Sequence, residues 1–522
     1  MGAMANTIDI RSVGHTQHNA PPAGPRPARL TPHQAMVQDL LFLRREFETH
    51  DIPFLLIRSA DGRPALVVDI RHRARVAHAL MAACLDAPLH AKILDGSHRR
   101  SIYLGDGLLS VSADPRLLRI YRKRGQGGQK AAKSGLRYGA SAGVELQFWV
   151  FDGSQAICPV ENSLTRKALA LREIVREDVE LHGRVWPTIQ GMFAPHAADV
   201  TFDIDIVFSW VDGSDPELRA RRASFLGGYV AGEGDAAEAR IRQIDELRYA
   251  LRSVWSFAPW IRRIFIATDS RTPAWLAEHP KVTVVRAEDH FADLGVLPVF
   301  NSHAVESQLH RIPGLAEHFL YSNDDMFFGR PLAPSMFFSP GGVSKFIEAG
   351  TRIGLGGSDP ERSGFENAAR MNRQLLFDRF GQVITRHLEH TAAPLRRSVL
   401  FELEQEFPQD FARTMASRFR SATDISVTNS LYHYYALLTG RAVQQERAKV
   451  RYVDTTSREG LGKLPGLLKK RNRDFFCLND SSFPEVEAAE RAEIVGDFLE
   501  RYFPLPAPWE KEPWEESGEE AA

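Results

Sequence analysis

Between Ile204 and Ser322 short apolar runs alternate with amphipathic stretches, and this alternation constrains the chain more than any other feature of its 522 residues. "IDIVFSW" (204–210), "IRRIFIATD" (261–269), "KVTVVRAED" (281–289) and "FLYS" (319–322) are short and rich in β-branched or aromatic residues, so they read as strands. "IDELRYALRSVWSFAPW" (244–260), "PAWLAEH" (273–279) and "NSHAVESQLHRIPGLAEHF" (301–319) read as the intervening helices. The pattern predicts an α/β fold built on a doubly wound, mostly parallel sheet. In such sheets ligands bind at the carboxyl ends of strands. Three of the runs end in acids: Asp212, Asp269 and the pair Asp324-Asp325. An unpaired carboxylate between apolar segments is costly to bury, so the pair is either a solvated strand-end turn or a cation site. A hard cation, Mg²⁺ or Mn²⁺, suits adjacent acids beside the phosphates of a nucleotide substrate.

Around this segment the chain divides into four parts. Residues 1–30 are rich in Pro and polar residues and read as a flexible N-terminus; 31–195 read as a small α+β accessory domain. Residues 200–480 hold the α/β pattern, with an irregular Gly-rich portion at 332–390 and helical segments near 395–440. Residues 481–522 give a C-terminal helix and an acidic tail, "PWEKEPWEESGEEAA", that reads as disordered. Lys and Arg (65) balance Asp and Glu (66), so no global field marks a nucleic-acid binder. The three cysteines, Cys84, Cys158 and Cys477, show no CxxC spacing, which fits a reducing compartment. With no secretion signal and no membrane-length apolar run, a cytoplasmic location is expected.

Other motifs are weaker. "GQGG" and "GLGG" form neither GxGxxG nor a P-loop. Asp245 and Glu246 open a helix, where acids favour the N-terminus, and Arg248 and Arg252 share one face one turn apart. His303 and Glu306 lie three apart on a predicted helix, a spacing that more often reflects capping and core packing than a metal pair. His387 and His390 lack a third zinc ligand, whereas a single His in a polar loop near a crevice suits a general base. Arg418, Arg420 and Asp424 cluster in "SRFRSATDIS", and Arg suits phosphate. The stretch 116–137 carries eight basic residues and no acid; with "LPGLLKKRNR" (464–473) it could dock on an anionic membrane or polymer, the solvated-loop reading being the simpler one.

"IDIVFSWVDGSDP", "DELRYALRSVWSFAPWIRRIFIATD", "FNSHAVESQLHRIPGLAEHFLYSNDDMFF", "EQEFPQDFARTMASRFRSATDIS" and "DFFCLND" together resemble the conserved regions of the Stealth family, in the family's order, over roughly 200–480. That family comprises bacterial capsule and exopolysaccharide hexose-1-phosphate transferases, together with the catalytic part of the animal enzyme that places N-acetylglucosamine-1-phosphate on lysosomal glycoproteins. The resemblance implies transfer of hexose-1-phosphate from a UDP-sugar to an acceptor sugar hydroxyl, forming a phosphodiester and releasing UMP. It implies metal binding by Asp324 and Asp325, with Asn479 or Asp480 of "CLND", and Mg²⁺ or Mn²⁺ as cofactor. Asp212 is expected on the nucleotide or the metal, and Arg420, with Arg248 as a second candidate, on phosphate oxygens. Asp424 is expected to orient an arginine, and His390 to act as general base. Asp245 and Glu246 lie in the family's D/N-E-L-R motif and are expected to contact donor or acceptor; Arg252 and Asn301 complete the expected substrate-binding set. His303 lies where animal members depart from "NSHA", which argues against an essential role. The rival functions are a metal-dependent glycosyltransferase releasing UDP, a phosphodiesterase working without acceptor, and a non-catalytic carbohydrate- or nucleotide-binding protein.

Overall fold

The computed structural model describes residues 30–95, 101–107, 115–124, 136, 138–227, 229, 231–233, 244–481 and 484–511. The expected flexible N-terminus, the middle of the basic stretch (125–135 and 137) and most of the acidic tail lie outside them.

The N-terminal unit opens with the helix Pro32–Thr49, whose start is fixed by a capping box between Thr31 and Gln34 and by Pro32 in the first turn. Its apolar stripe, Leu40, Leu43 and Phe47, packs on Leu66, Val68, Val144, Leu146 and Phe148 of a mixed eight-stranded sheet. Asp39 is buried on that helix and receives both Arg122 and Arg124, at 2.6 Å each. A hairpin of Arg176–Leu181 and Arg184–Ile189 follows. Arg58 then pairs with Asp199, in the segment leading to the central sheet.

That sheet has five strands in the order Val282–Val285, Ile264–Ala267, Ile204–Ser209, His318–Asn323, Ala393–Arg396. The first four are parallel and the last is antiparallel. Alternate residues take opposite faces. Ile204, Ile206 and Phe208 join Leu247, Leu251 and Val254 of the helix Glu246–Phe257 in one core. Val207, Phe265 and Tyr321 join Leu309, Leu400 and Leu403 in the other. Both faces are covered, which explains the near-continuous apolar runs. The acid inside the first run, Asp205, is wholly buried and satisfied: its oxygens accept from Arg262 Nε (2.9 Å) and Nη2 (2.6 Å), and from the backbone N–H groups of Arg263 and Ala316.

Chain order reverses between Ile204–Ser209 and His318–Asn323, whose ends pair at Ser209 and Asn323. This is the topological switch point, and Asp212 and Asp324-Asp325 lie just beyond it. A second, three-stranded sheet of Met326–Phe328, Phe475–Asn479 and Val450–Asp454 grows from the same corner and carries Asn479 and Asp480 to it.

Several elements differ from expectation. The 332–390 portion contains a 17-residue helix, Gly364–Phe380; its buried face includes Asn367, Arg370 and Asn372, so apolar periodicity is weak. "PAWLAEH" is not helical: Leu276 bridges to Glu510, and Ala277 N–H donates to Trp509 O at 2.9 Å. The first residues of the acidic tail therefore belong to the core, and Trp509 is fully buried. The "NSHA" helix is only Ser302–Glu306, succeeded by a 3₁₀ turn at Leu309–Arg311.

Candidate active site

At the switch point a crevice of about 480 Å³ opens. Asn323, Asn479 and Asp480 line one wall, Leu388, Glu389 and His390 a second, and Ser302, His303, Glu306, Arg420, Ser426 and Asn429 a third. Phe365 and Tyr452 flank its mouth.

Behind Asn323 lies Asp325. Its Oδ2 accepts from Cys477 Sγ at 3.3 Å and, over a long 3.4 Å, from Asn479 Nδ2, while Oδ1 is shielded and has no hydrogen-bond partner. Burial pushes this carboxyl up, and the nearby Asp480 adds to the rise, against the lowering influence of His390, Cys477 and Asn479. An orphaned, desolvated oxygen beside a second carboxylate is a cavity for positive charge. Among the described residues no set of three or more His, Cys, Asp or Glu side chains gathers to hold a metal. The residues present nevertheless fit Mg²⁺, which takes one or two carboxylates and fills its octahedron with water and substrate phosphates. Asp325 and Asp480 would hold it, with the Asn479 amide adjacent; Asp324 is half-buried at the turn. Asp480 is steadied by Thr455, whose hydroxyl donates to its Oδ1.

His390 sits half-buried between two aromatic rings, 6.3 Å from Phe365 and 5.3 Å from Tyr452. On the third wall Arg420 Nη2 donates to Ser302 Oγ at 3.2 Å. His303, nearly buried, places Nδ1 3.7 Å from Asp424 Oδ2. Glu306 is buried and braced by the hydroxyls of Tyr321 (3.2 Å) and Thr428 (2.7 Å).

Other expected site residues are placed elsewhere. Arg248 and Arg252 do not reach the crevice; both are committed to Glu510, at 2.7 Å each, and Arg252 Nη1 also donates to Phe503 O. The two arginines share one helix face in order to bury the C-terminal segment, not to bind phosphate. Asn301 caps the Ser302–Glu306 helix by accepting from His303 N–H, and its amide donates to Ser417 O, Phe419 O and Asp424 Oδ2. Asp424, fully buried, also accepts from Ser421 N–H, so it fixes the loop carrying Arg420 and does not pair with an arginine. Asp245 takes a left-handed conformation (φ 59°) before the helix, and Glu246 accepts from Ile244 N–H at 3.1 Å; neither lines the crevice. Asp212 accepts from Ser214 N–H and Oγ in a turn at the strand end, outside the crevice wall. In the proposed docking segment Lys469 and Lys470 are exposed, but Arg471 is not available: its Nη2 donates to Arg501 O and Tyr502 O, and burial lowers its guanidinium to about 10.

Sequence reasoning missed Phe365, Tyr452, Glu389 and Asn429. Phe365 and Tyr452 belong to no motif, and only the fold brings them and Asn429 to His390; Glu389 is its neighbour in sequence. Burial raises the Glu389 carboxyl as well.

Four models described as Stealth protein conserved regions match: region 1 at 202–230, region 2 at 240–346, region 3 at 389–437 and region 4 at 465–520. Region 4 runs beyond the expected limit near 480 and takes in the buried segment around Trp509. "Exopolysaccharide phosphotransferase CpsY" of Mycobacterium leprae is 66% identical over 482 residues, covering 92% of this chain and 88% of that protein. An "Exopolysaccharide phosphotransferase" of Nocardia farcinica is 56% identical over 489 residues, covering 94% and 90%. Both matches are long enough to extend into the N-terminal unit. A crystal structure of the galactosyltransferase LgtC with donor and acceptor sugar analogs aligns at 13% identity with a TM-score of 0.30, covering 60% of this chain and 99% of that one.

Proposed function

The chain belongs to the Stealth family, and from that premise we propose that it is an exopolysaccharide phosphotransferase that moves hexose-1-phosphate from a UDP-sugar to a sugar hydroxyl. The observation that carries this reading is the convergence on one crevice of His390, Arg420 and Asp480, with Asp325 behind its wall bonded to Asn479 and electrostatically linked to His390 and Asp480; these residues come from three separate matched regions.

The acceptor oxygen attacks the phosphorus bonded to the sugar, the bond between the two phosphorus centres' bridging oxygen and that phosphorus breaks, and UMP leaves. The hexose keeps its phosphate, now a phosphodiester. His390 takes the hydroxyl proton as the new P–O bond forms. Arg420 holds phosphate oxygens on the opposite wall, its backbone fixed by the Asp424–Asn301 network. A divalent cation bound at Asp325 and Asp480 would neutralise diphosphate charge. Asn479, on the crevice wall, lies next to that charge, whereas Asp245 and Glu246 open the helix Glu246–Phe257 away from the crevice. The described residues contain no helix long and apolar enough to cross a membrane, and we place the reaction in the cytoplasm with a soluble donor and a saccharide acceptor.

The test is the nucleotide released from UDP-N-acetylglucosamine and UDP-glucose with Mg²⁺ and saccharide acceptor, using His390→Gln as control. UMP with a phosphodiester in the product supports the reading. UDP would make the protein a glycosyltransferase, nucleotide release without acceptor consumption a hydrolase, and no release from either donor a binding protein.

A further inference from the structure

Phe365 and Tyr452 are 38% and 43% exposed, and what sets them apart from other exposed rings such as Phe377 is that they border the crevice. They come from distant parts of the chain, Phe365 from the first turn of the helix Gly364–Phe380 and Tyr452 from the strand Val450–Asp454. Both border the crevice and both touch the His390 ring, at interplanar angles of 46° and 72°. Neither is loose. Phe365 stacks on His387 at 4.7 Å and 21°, and the Tyr452 hydroxyl donates to Asn479 Oδ1 at 2.8 Å. Fixed aromatic rings bordering a polar crevice offer contact area at little entropic cost.

We propose that Phe365 and Tyr452 form the acceptor subsite, on which a pyranose ring of the acceptor saccharide packs with one of its hydroxyls turned to His390. The inference rests on the transfer reaction proposed above. A pyranose has C–H-lined faces that pack on aromatic rings and hydroxyls at its rim, and this mouth supplies both kinds of partner: two rings, with Ser363, Glu389 and Asn429 around them. The occupant is the acceptor and not the nucleobase because the two rings flank His390, the base that must meet a hydroxyl; Arg420, packed beside Gly364, and Asn479, bonded to the Tyr452 hydroxyl, mark the side on which the subsite adjoins the phosphates.

Phe365→Ala and Phe365→Tyr test this, with donor and acceptor concentrations varied separately. In parallel, saturation-transfer NMR of the donor-free protein with a mixture of short neutral hexose oligosaccharides reads acceptor binding directly. Loss of the ring–ligand contact is expected to raise the acceptor KM roughly tenfold in Phe365→Ala, a change of about 1.4 kcal/mol. The donor KM should shift by less than about twofold, Phe365→Tyr should restore the acceptor KM, and the NMR signal should fall in Phe365→Ala only. A rise in donor KM with acceptor KM unchanged would assign the rings to the nucleobase and overturn the proposal. So would a fall in kcat with neither KM altered, or no saturation transfer to the unsubstituted protein. Because the NMR arm is indifferent to which bond breaks, release of UDP would overturn the proposed reaction while leaving the subsite standing.

Discussion

Arg252 and Glu510 meet as a two-point ion pair, Nε to Oε1 at 2.7 Å and Nη2 to Oε2 at 2.8 Å, with side-chain exposures of only 5% and 2%. Arg248 adds a third bond to Oε2. The pair joins the helix Glu246–Phe257 to the end of the described chain, within the span that region 4 matches.

Removing one partner of a buried pair leaves the other charge unmatched, so Glu510→Ala is expected to lower unfolding stability by about 3–5 kcal/mol. Denaturant unfolding checks this. Burial pushes the Glu510 carboxyl up, but Arg252, the Ala507 N–H and Arg248 outweigh it and hold it below its ordinary 4.5. The stabilisation is therefore complete above pH 4.5 and fades as pH falls through the lowered native value. Glu510→Gln should flatten that acid-side slope.

Asp325→Asn removes charge while keeping shape. Mg²⁺ is expected to raise the melting temperature of the unsubstituted protein and to leave that of Asp325→Asn unchanged, a comparison that needs no turnover. Activity at saturating Mg²⁺ should fall by about 10²–10³, the scale of losing one electrostatic contact to developing charge. An equal Mg²⁺-dependent shift in both proteins would remove Asp325 from the metal site.

Among the described residues two histidines line the crevice, in different surroundings. His390 lies between the acceptor-side rings, whereas His303 is pinned in the wall next to Asp424. His390→Gln is expected to cut kcat by about 10²–10⁴ with little change in KM, as for loss of a general base. His303→Gln should stay within about tenfold of the unsubstituted enzyme, because a ring packed at the wall acts through position alone. Steady-state kinetics on both variants decides; a larger loss in His303→Gln would exchange the two assignments.

The sheet was legible because both of its faces are buried, so Ile204–Ser209, Ile264–Ala267 and His318–Asn323 appear as near-continuous apolar runs followed by acids. The same logic located Asp324-Asp325 and, through family resemblance, His390 and Arg420 near one another. It failed where a residue's partner is remote in sequence. Nothing near Arg252 announces Glu510, 258 positions away, so the helix face that Arg248 and Arg252 share was visible but its partner was not. Tyr452 and Phe365 carry no motif, since a ring at a crevice mouth differs from a core ring only in what fails to cover it. The helix Gly364–Phe380 was hidden because Asn367, Arg370 and Asn372 sit where apolar residues would have shown its period.

That helix also supplies the sharpest test of Arg420, without touching the arginine. Gly364 lies so close to the Arg420 side chain that an added Cβ would stand 2.9 Å from both Cβ and Cδ of the arginine. Real Cβ atoms do not tolerate such contacts, and Arg420 Cβ cannot swing away without moving its backbone, which Asp424 and Asn301 hold through the surrounding loop. Gly364 starts a helix, where alanine is otherwise the better residue, so helix propensity opposes any loss of stability. Gly364→Ala should therefore displace the guanidinium and cut kcat/KM by about 10²-fold, the scale of a 1 Å misplacement, while unfolding stability changes by less than about 2 kcal/mol. Combining it with Arg420→Ala should cost little more than Arg420→Ala alone, because both changes remove the same contact. Additive losses in the double variant would mean that Gly364 acts on the site by another route.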